Sequence, residues 1–383
     1  MQTSRLALLG GAAMALASSA YAGGVERSNQ GVDFLFEDGT YGELSFGRID
    51  PDVSGEGRTL ATGTKTGNML GGENVGSLSY KQDLGDNIVL GIKLDQPVGA
   101  TIRYPTGTGH PFAGSTADLD STALTAYLMY KFDNGFSVLG GVRAQQVEGE
   151  VFLGSSGYEL STNNDREFGY TLGVAYERPD IALRVALTYN SAIDHRFSAT
   201  ESSPLLGVNE ASSEFDTTIP QSVHLQFQTG IAEDTLLFGS VRWVDWSEFD
   251  INPDFYSATL AAINMANGFP VNDYALASYQ SDSITYRLGV GRRFTDAWSG
   301  AFTLIHEPQS GDIFGNLGPI DGRTAVALGV TYTQDRFKIS GGIEYSWLGN
   351  ASSQSPFDNP GVAISKFEDN TAISYGIRIG YYF

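Results

Sequence analysis

The 383-residue chain has no cysteine, so neither a disulfide framework nor a thiolate metal site is available, and stability has to come from hydrogen bonding and packing. It is also short of positive charge. Twenty-three lysines and arginines face 44 aspartates and glutamates, a formal net charge of −21 that makes nucleic acid a poor partner. Long hydrophobic runs are missing: the apolar stretch from Leu6 to Leu16 falls short of the ~20 residues that a membrane-spanning helix needs. Histidine is scarce, and His110, His195, His224 and His306 lack the spacing of a zinc site. No cofactor motif is present, and no metal or cofactor is expected.

What is present begins with a leader. Residues 1–22 carry a lone Arg5, the short apolar stretch and the small-residue ending Ala20-Tyr21-Ala22, the plan of a cleaved secretory signal. Without it the formal charge becomes −22, because Arg5 is the only charge it removes. Beyond it lie residues 23–38, a short N-terminal segment, and then residues 39–383, in which a two-residue rhythm dominates.

That rhythm is clearest at the C-terminus. Ile373, Tyr375, Ile377, Ile379, Tyr381 and Phe383 share one strand face, and Ser374, Gly376, Arg378, Gly380 and Tyr382 the other. It recurs in Ile88, Leu90, Ile92, Leu94 and in Phe168, Tyr170, Leu172, Val174, Tyr176. Mean hydropathy of −0.14 would suit a soluble chain, and a soluble all-β sandwich is the competing reading. A transmembrane barrel with polar lumen residues dilutes its lipid-facing side chains to the same average, and its strands carry aromatics near their ends.

Fourteen strands are expected, near 39–50, 73–84, 87–104, 121–132, 135–152, 165–178, 180–198, 217–230, 234–250, 280–294, 297–308, 322–334, 335–348 and 368–383. Tight connections such as Asp133-Asn134-Gly135 and Arg178-Pro179-Asp180 alternate with long ones near 51–72, 105–120, 153–164, 199–216, 251–279, 309–321 and 349–367. The result is an all-β, 14-stranded antiparallel transmembrane β-barrel, with both termini on the periplasmic side of a bacterial outer membrane. Residues 254–269 read as a helix in an extracellular loop. Pro97 cannot donate a ladder hydrogen bond and Gly99 follows it, so the third strand should be bulged or kinked there.

Several stretches resemble the outer-membrane transporters of long-chain fatty acids and hydrocarbons, the FadL family. They include Ile49-Asp50-Pro51-Asp52-Val53-Ser54-Gly55, Gln96-Pro97-Val98-Gly99-Ala100-Thr101 with Tyr104, and Gly173-Val174-Ala175-Tyr176-Glu177. Ala186-Leu187-Thr188-Tyr189-Asn190-Ser191, Trp243-Val244-Asp245-Trp246-Ser247 and the terminal Gly380-Tyr381-Tyr382-Phe383 follow in order. The resemblance implies a monomeric barrel with an N-terminal hatch, and passive transport with lateral exit at an inward kink of the third strand, which would make Pro97 and Gly99 the gate. It also implies outer-membrane lipid as surroundings and assembly machinery that recognises Phe383. The chain departs from the family in its short N-terminal segment, which lacks the Asn-Pro-Ala element typical of the hatch; Phe34, Leu35 and Phe36 are left as the candidate plug.

Alternation puts Arg143, Arg184, Arg287, Arg293 and Arg378 on the lumen face, where each could meet a ligand carboxylate or pair with barrel carboxylates. Trp243, Trp246, Trp298 and Trp347 read as interfacial girdles. His195 with Ser191 and Asp194 is the best local cluster for a hydrolase, but no catalytic residue is assigned. Passage of long-chain fatty acids or other hydrophobic molecules is the favoured reading, and a general porin for small hydrophilic solutes is the alternative.

Overall fold

The computed structural model describes residues 25–271, 275–359 and 361–383; the expected signal segment 1–22 lies outside them. Fourteen antiparallel strands form a closed barrel. They are β1 (Tyr41–Asp52), β2 (Glu73–Leu84), β3 in two halves (Ile88–Asp95 and Gly99–Arg103), β4 (Thr116–Lys131), β5 (Phe136–Leu153) and β6 (Asp165–Arg178). Next come β7 (Leu183–Asn190 and Ile193–Ser203), β8 (Val208–Ile219 and Ser222–Ala232) and β9 (Thr235–Val244). The barrel is completed by β10 (Ser283–Arg293), β11 (Trp298–Glu307), β12 (Arg323–Gln334), β13 (Phe337–Leu348) and β14 (Thr371–Tyr382). Closure is the pairing of β1 with β14, Tyr41 opposite Tyr382 through Asp52 opposite Thr371, and it leaves no free edge in the membrane.

Sidedness is inverted relative to a soluble protein. Phe46, Leu90, Leu128, Leu172, Leu288 and Ile343 lie exposed on the outer wall, while Lys81, Arg143, Thr171, Arg323 and Glu344 are buried on the inner one. Near the short turns, outward aromatics meet in pairs: Phe136 with Tyr176 at 4.7 Å between ring centroids, Trp298 with Tyr332 at 4.8 Å, and Tyr381 with Phe383 at 4.9 Å. These form the periplasmic girdle.

Above the membrane the loops make a lid. Short strands Ile313–Phe314, Ala351–Gln354, Ala363–Phe367 and Gly55–Gly57 form a separate sheet, and helix α1 (Asp254–Asn267), in the long loop after β9, packs against the upper halves of β7 and β8. Three expectations change. Residues 199–216 form no open loop, because β7 and β8 continue upward as a tall hairpin around Pro204–Leu206; their Ser- and Glu-rich sequence carries few apolar side chains at the tip, so alternation fades although pairing persists. The ninth strand ends at Val244, not 250. The chain there turns back over the barrel mouth through Trp246–Glu248, so Trp246, 2% exposed, is no girdle residue but packs inside against Phe249 and Tyr279.

Candidate functional site

The third strand is broken. Asp95 is paired with Ala123 and Gly99 with Asp120, so three residues of β3, Gln96 to Val98, stand opposite two of β4. Pro97 has no N–H to give; Val98 instead donates to the Ser121 hydroxyl at 2.9 Å. On the other side β2 pairs with β3 from Leu78 to Leu84, and its stretch from Glu73 to Ser77 is not paired with β3. Gly76 donates to the Gln96 side chain at 3.0 Å, and the ladder resumes higher up, where Gly71 donates to Thr101 at 2.8 Å. The result is a window in the wall between β2 and β3.

The N-terminal segment fills the lumen behind this window. Glu26 bridges Val98 in antiparallel fashion, with Arg27 donating to Pro97 and Gly99 donating to Val25. A buried ion pair joins Glu26 to Arg242 at 2.5 Å. Further along, Ser28 donates to Asp95 at 2.7 Å and Lys93 to the Gly31 carbonyl at 3.0 Å. Asp33–Phe36 form a 3-10 turn in which Phe34 and Leu35 are buried against Val89, Tyr127 and Met129, and Phe36 is half-buried under Arg184. Glu37 closes the segment by ion-pairing with Lys338 at 2.7 Å and accepting from Tyr382 at 2.6 Å.

Three cavities lie in series around this segment. An extracellular vestibule of about 560 Å³ is bounded by Phe112, Leu153, Tyr256, Leu276, Phe314 and Leu317. Leu276 and Leu317 also border the second, a chamber of about 60 Å³ walled chiefly by apolar side chains, among them Ile102, Leu119, Phe197, Phe215 and Tyr279, with Val25 in its lining. The third, about 80 Å³, lies behind the window between Arg27, Val75, Gly76, Gln96 and Phe46. Residues 25–27 therefore separate the apolar chamber from the window.

The five lumen arginines have distinct surroundings. Arg378 borders the cavity behind the window and lies 3.7 Å from Glu43. Arg143 holds Gln30 and the Ser191 carbonyl, and Arg184 pairs with Asp33 at 3.1 Å, so both grip the N-terminal segment. Arg293 pairs with Asp234 in the β8–β9 turn, and Arg287 sits on the inner face of β10 opposite Ser240. The hydrolase cluster does not assemble: His195 meets Asp165 at 2.9 Å, whereas Asp194 points outward to Thr218 and the Ser191 hydroxyl accepts from the Tyr170 amide. Arg27 and Glu26 escaped sequence reasoning because their partners are 46 to 216 residues away; the glycine after Pro97 was the available clue.

Comparison with known proteins agrees with this architecture. Residues 43–383 match the model of the outer membrane protein transport protein family, OMPP1/FadL/TodX. No curated protein matches the sequence. Among solved structures, a FadL homologue from Pseudomonas aeruginosa is similar at TM-score 0.74 and 14% identity, covering 97% of this chain and 98% of that one. The Pseudomonas putida toluene transporter TodX gives 0.62 and 13%, covering 97% and 98%. The Ralstonia pickettii toluene transporter TbuX gives 0.61 and 13%, covering 91% and 90%. The chain belongs to the OMPP1/FadL/TodX family of outer-membrane transport proteins, and is a bacterial outer-membrane barrel from a family of channels for hydrophobic compounds.

Proposed function

We propose that this barrel carries long-chain fatty acids or similar hydrophobic molecules across the outer membrane by diffusion, without catalysis, and releases them sideways through the window beside β3. One observation carries the reading: an apolar chamber below the vestibule is separated from a gap in the wall by three residues of the N-terminal segment. Transfer into such a chamber contributes ~0.8 kcal/mol per CH₂, so an acyl chain can enter without a dedicated polar contact. Pro97 and Gly99 act as the gate, and Phe34, Leu35 and Phe36 as a hatch that blocks the periplasmic end. Arg378, beside the inner cavity, is the arginine positioned to meet a polar head, while Arg143 and Arg184 hold the plug. The barrel works as a monomer among outer-membrane lipids, with Phe383 read by the assembly machinery.

A general porin is the competing reading. The test is paired: oleate-dependent growth of a Gram-negative host lacking its own fatty-acid channel, and sugar-driven swelling of liposomes containing the purified protein. Growth restored with no swelling is expected. Rapid swelling without growth would establish the porin instead.

A further inference from the structure

The two carboxylates that hold Arg27 lie on opposite faces of the barrel wall. On β2 the outward residues are Leu78 and Tyr80, so Glu73, of opposite parity, faces the lumen with Ser79 and Lys81. On β4 the outward residues are Leu124, Leu128 and Tyr130, and Asp120 shares their face with its side chain 60% exposed. Arg27 is 2.5 Å from Glu73 and 2.8 Å from Asp120 while itself 4% exposed. Its guanidinium thus passes from the lumen into the wall.

Gly99 makes that passage possible. In the upper half of β3, Ala100 and Ile102 line the apolar chamber, so Gly99 presents its missing side chain to the outer face. A Cβ placed there would lie 2.1 Å from the Arg27 guanidinium carbon. The space a side chain would occupy holds the arginine head group instead.

We propose that Arg27 is the bolt of the window: its guanidinium fills the hole left by Gly99 and ties β2 to β4 across the broken β3. The inference rests on the lateral-exit reading and adds the residue that controls it. Withdrawing Arg27 leaves Glu73 and Asp120 facing an empty hole, with Glu148 directly across from Asp120 on the outer face, so the carboxylates then repel one another and favour the open wall. Val25, in the chamber lining, accepts from Gly99 itself, so a molecule that displaces Val25 also loosens the bolt.

The test compares Arg27→Ala, Arg27→Lys and Glu73→Gln with the parent, all as folded barrels by heat-modifiable gel mobility. Hydrogen exchange is followed across residues 96–103, and oleate uptake in the channel-deficient host. Exchange in Arg27→Ala should rise by at least about tenfold, with Arg27→Lys and Glu73→Gln between it and the parent, because a buried ion pair is lost; uptake should rise with it. Faster exchange with unchanged uptake would keep the bolt and discard lateral exit here. Unchanged exchange in folded Arg27→Ala or Glu73→Gln overturns the bolt.

Discussion

Gly91 and Gly99 stand on one strand and look in opposite directions. A Cβ on Gly91 would meet Leu35 at 2.3 Å on the lumen side, and one on Gly99 would meet Arg27 in the wall. Each glycine is a seat for one side chain of the N-terminal segment. A third residue-scale device lies in the lid. His110 is buried, hydrogen-bonded to Ser365 at 2.7 Å and stacked on Tyr104, and burial lowers its pKa from 6.5 to about 4. The neutral ring belongs to the folded lid, and the unfolded loop gains a proton below ~6.5. Its contribution is therefore full above pH 6.5 and is lost as pH falls towards 4. Amides of residues 104–115 should lose protection in the parent relative to His110→Gln between pH 7 and pH 5; equal protection at both values would remove His110 as the cause.

Among the elements, alternation made the strands readable wherever one face meets lipid and the other a polar lumen, as in β4, β6 and β14. It failed above the membrane, where the Ser- and Glu-rich tips of β7 and β8 carry few apolar side chains, and at Trp246, whose aromatic character says nothing about which way a turn folds it. The N-terminal segment was legible as a short plug candidate from Phe34 to Phe36, but its pairing with β3 was not, since local pattern carries no information on contacts between residues 26 and 242. Pro97 marked the break because a missing donor is a property of the residue itself. If the segment is a plug rather than a folding core, deleting residues 25–38 should leave the barrel heat-modifiable, since its closure rests on β1 and β14, and should let small sugars through. Failure of the shortened barrel to fold, or continued exclusion of sugars, would contradict that role.

The whole molecule is a closed wall with a window between β2 and β3, topped by an apolar lid and filled by charged anchors to the N-terminal segment. Sidedness, closure and strand number followed from composition and periodicity; the path through the molecule depends on how distant segments fill the lumen. The proposed path can be locked. Glu26 and Val98 form the non-hydrogen-bonded pair of an antiparallel bridge, whose Cα atoms approach to about 4.5 Å and suit a disulfide. The chain has no other cysteine to interfere. Oleate uptake by the Glu26→Cys, Val98→Cys barrel, measured oxidised and then reduced in the same cells, is the most direct measurement: the account predicts uptake abolished by the disulfide and recovered on reduction, and undiminished uptake with the bond intact would contradict it.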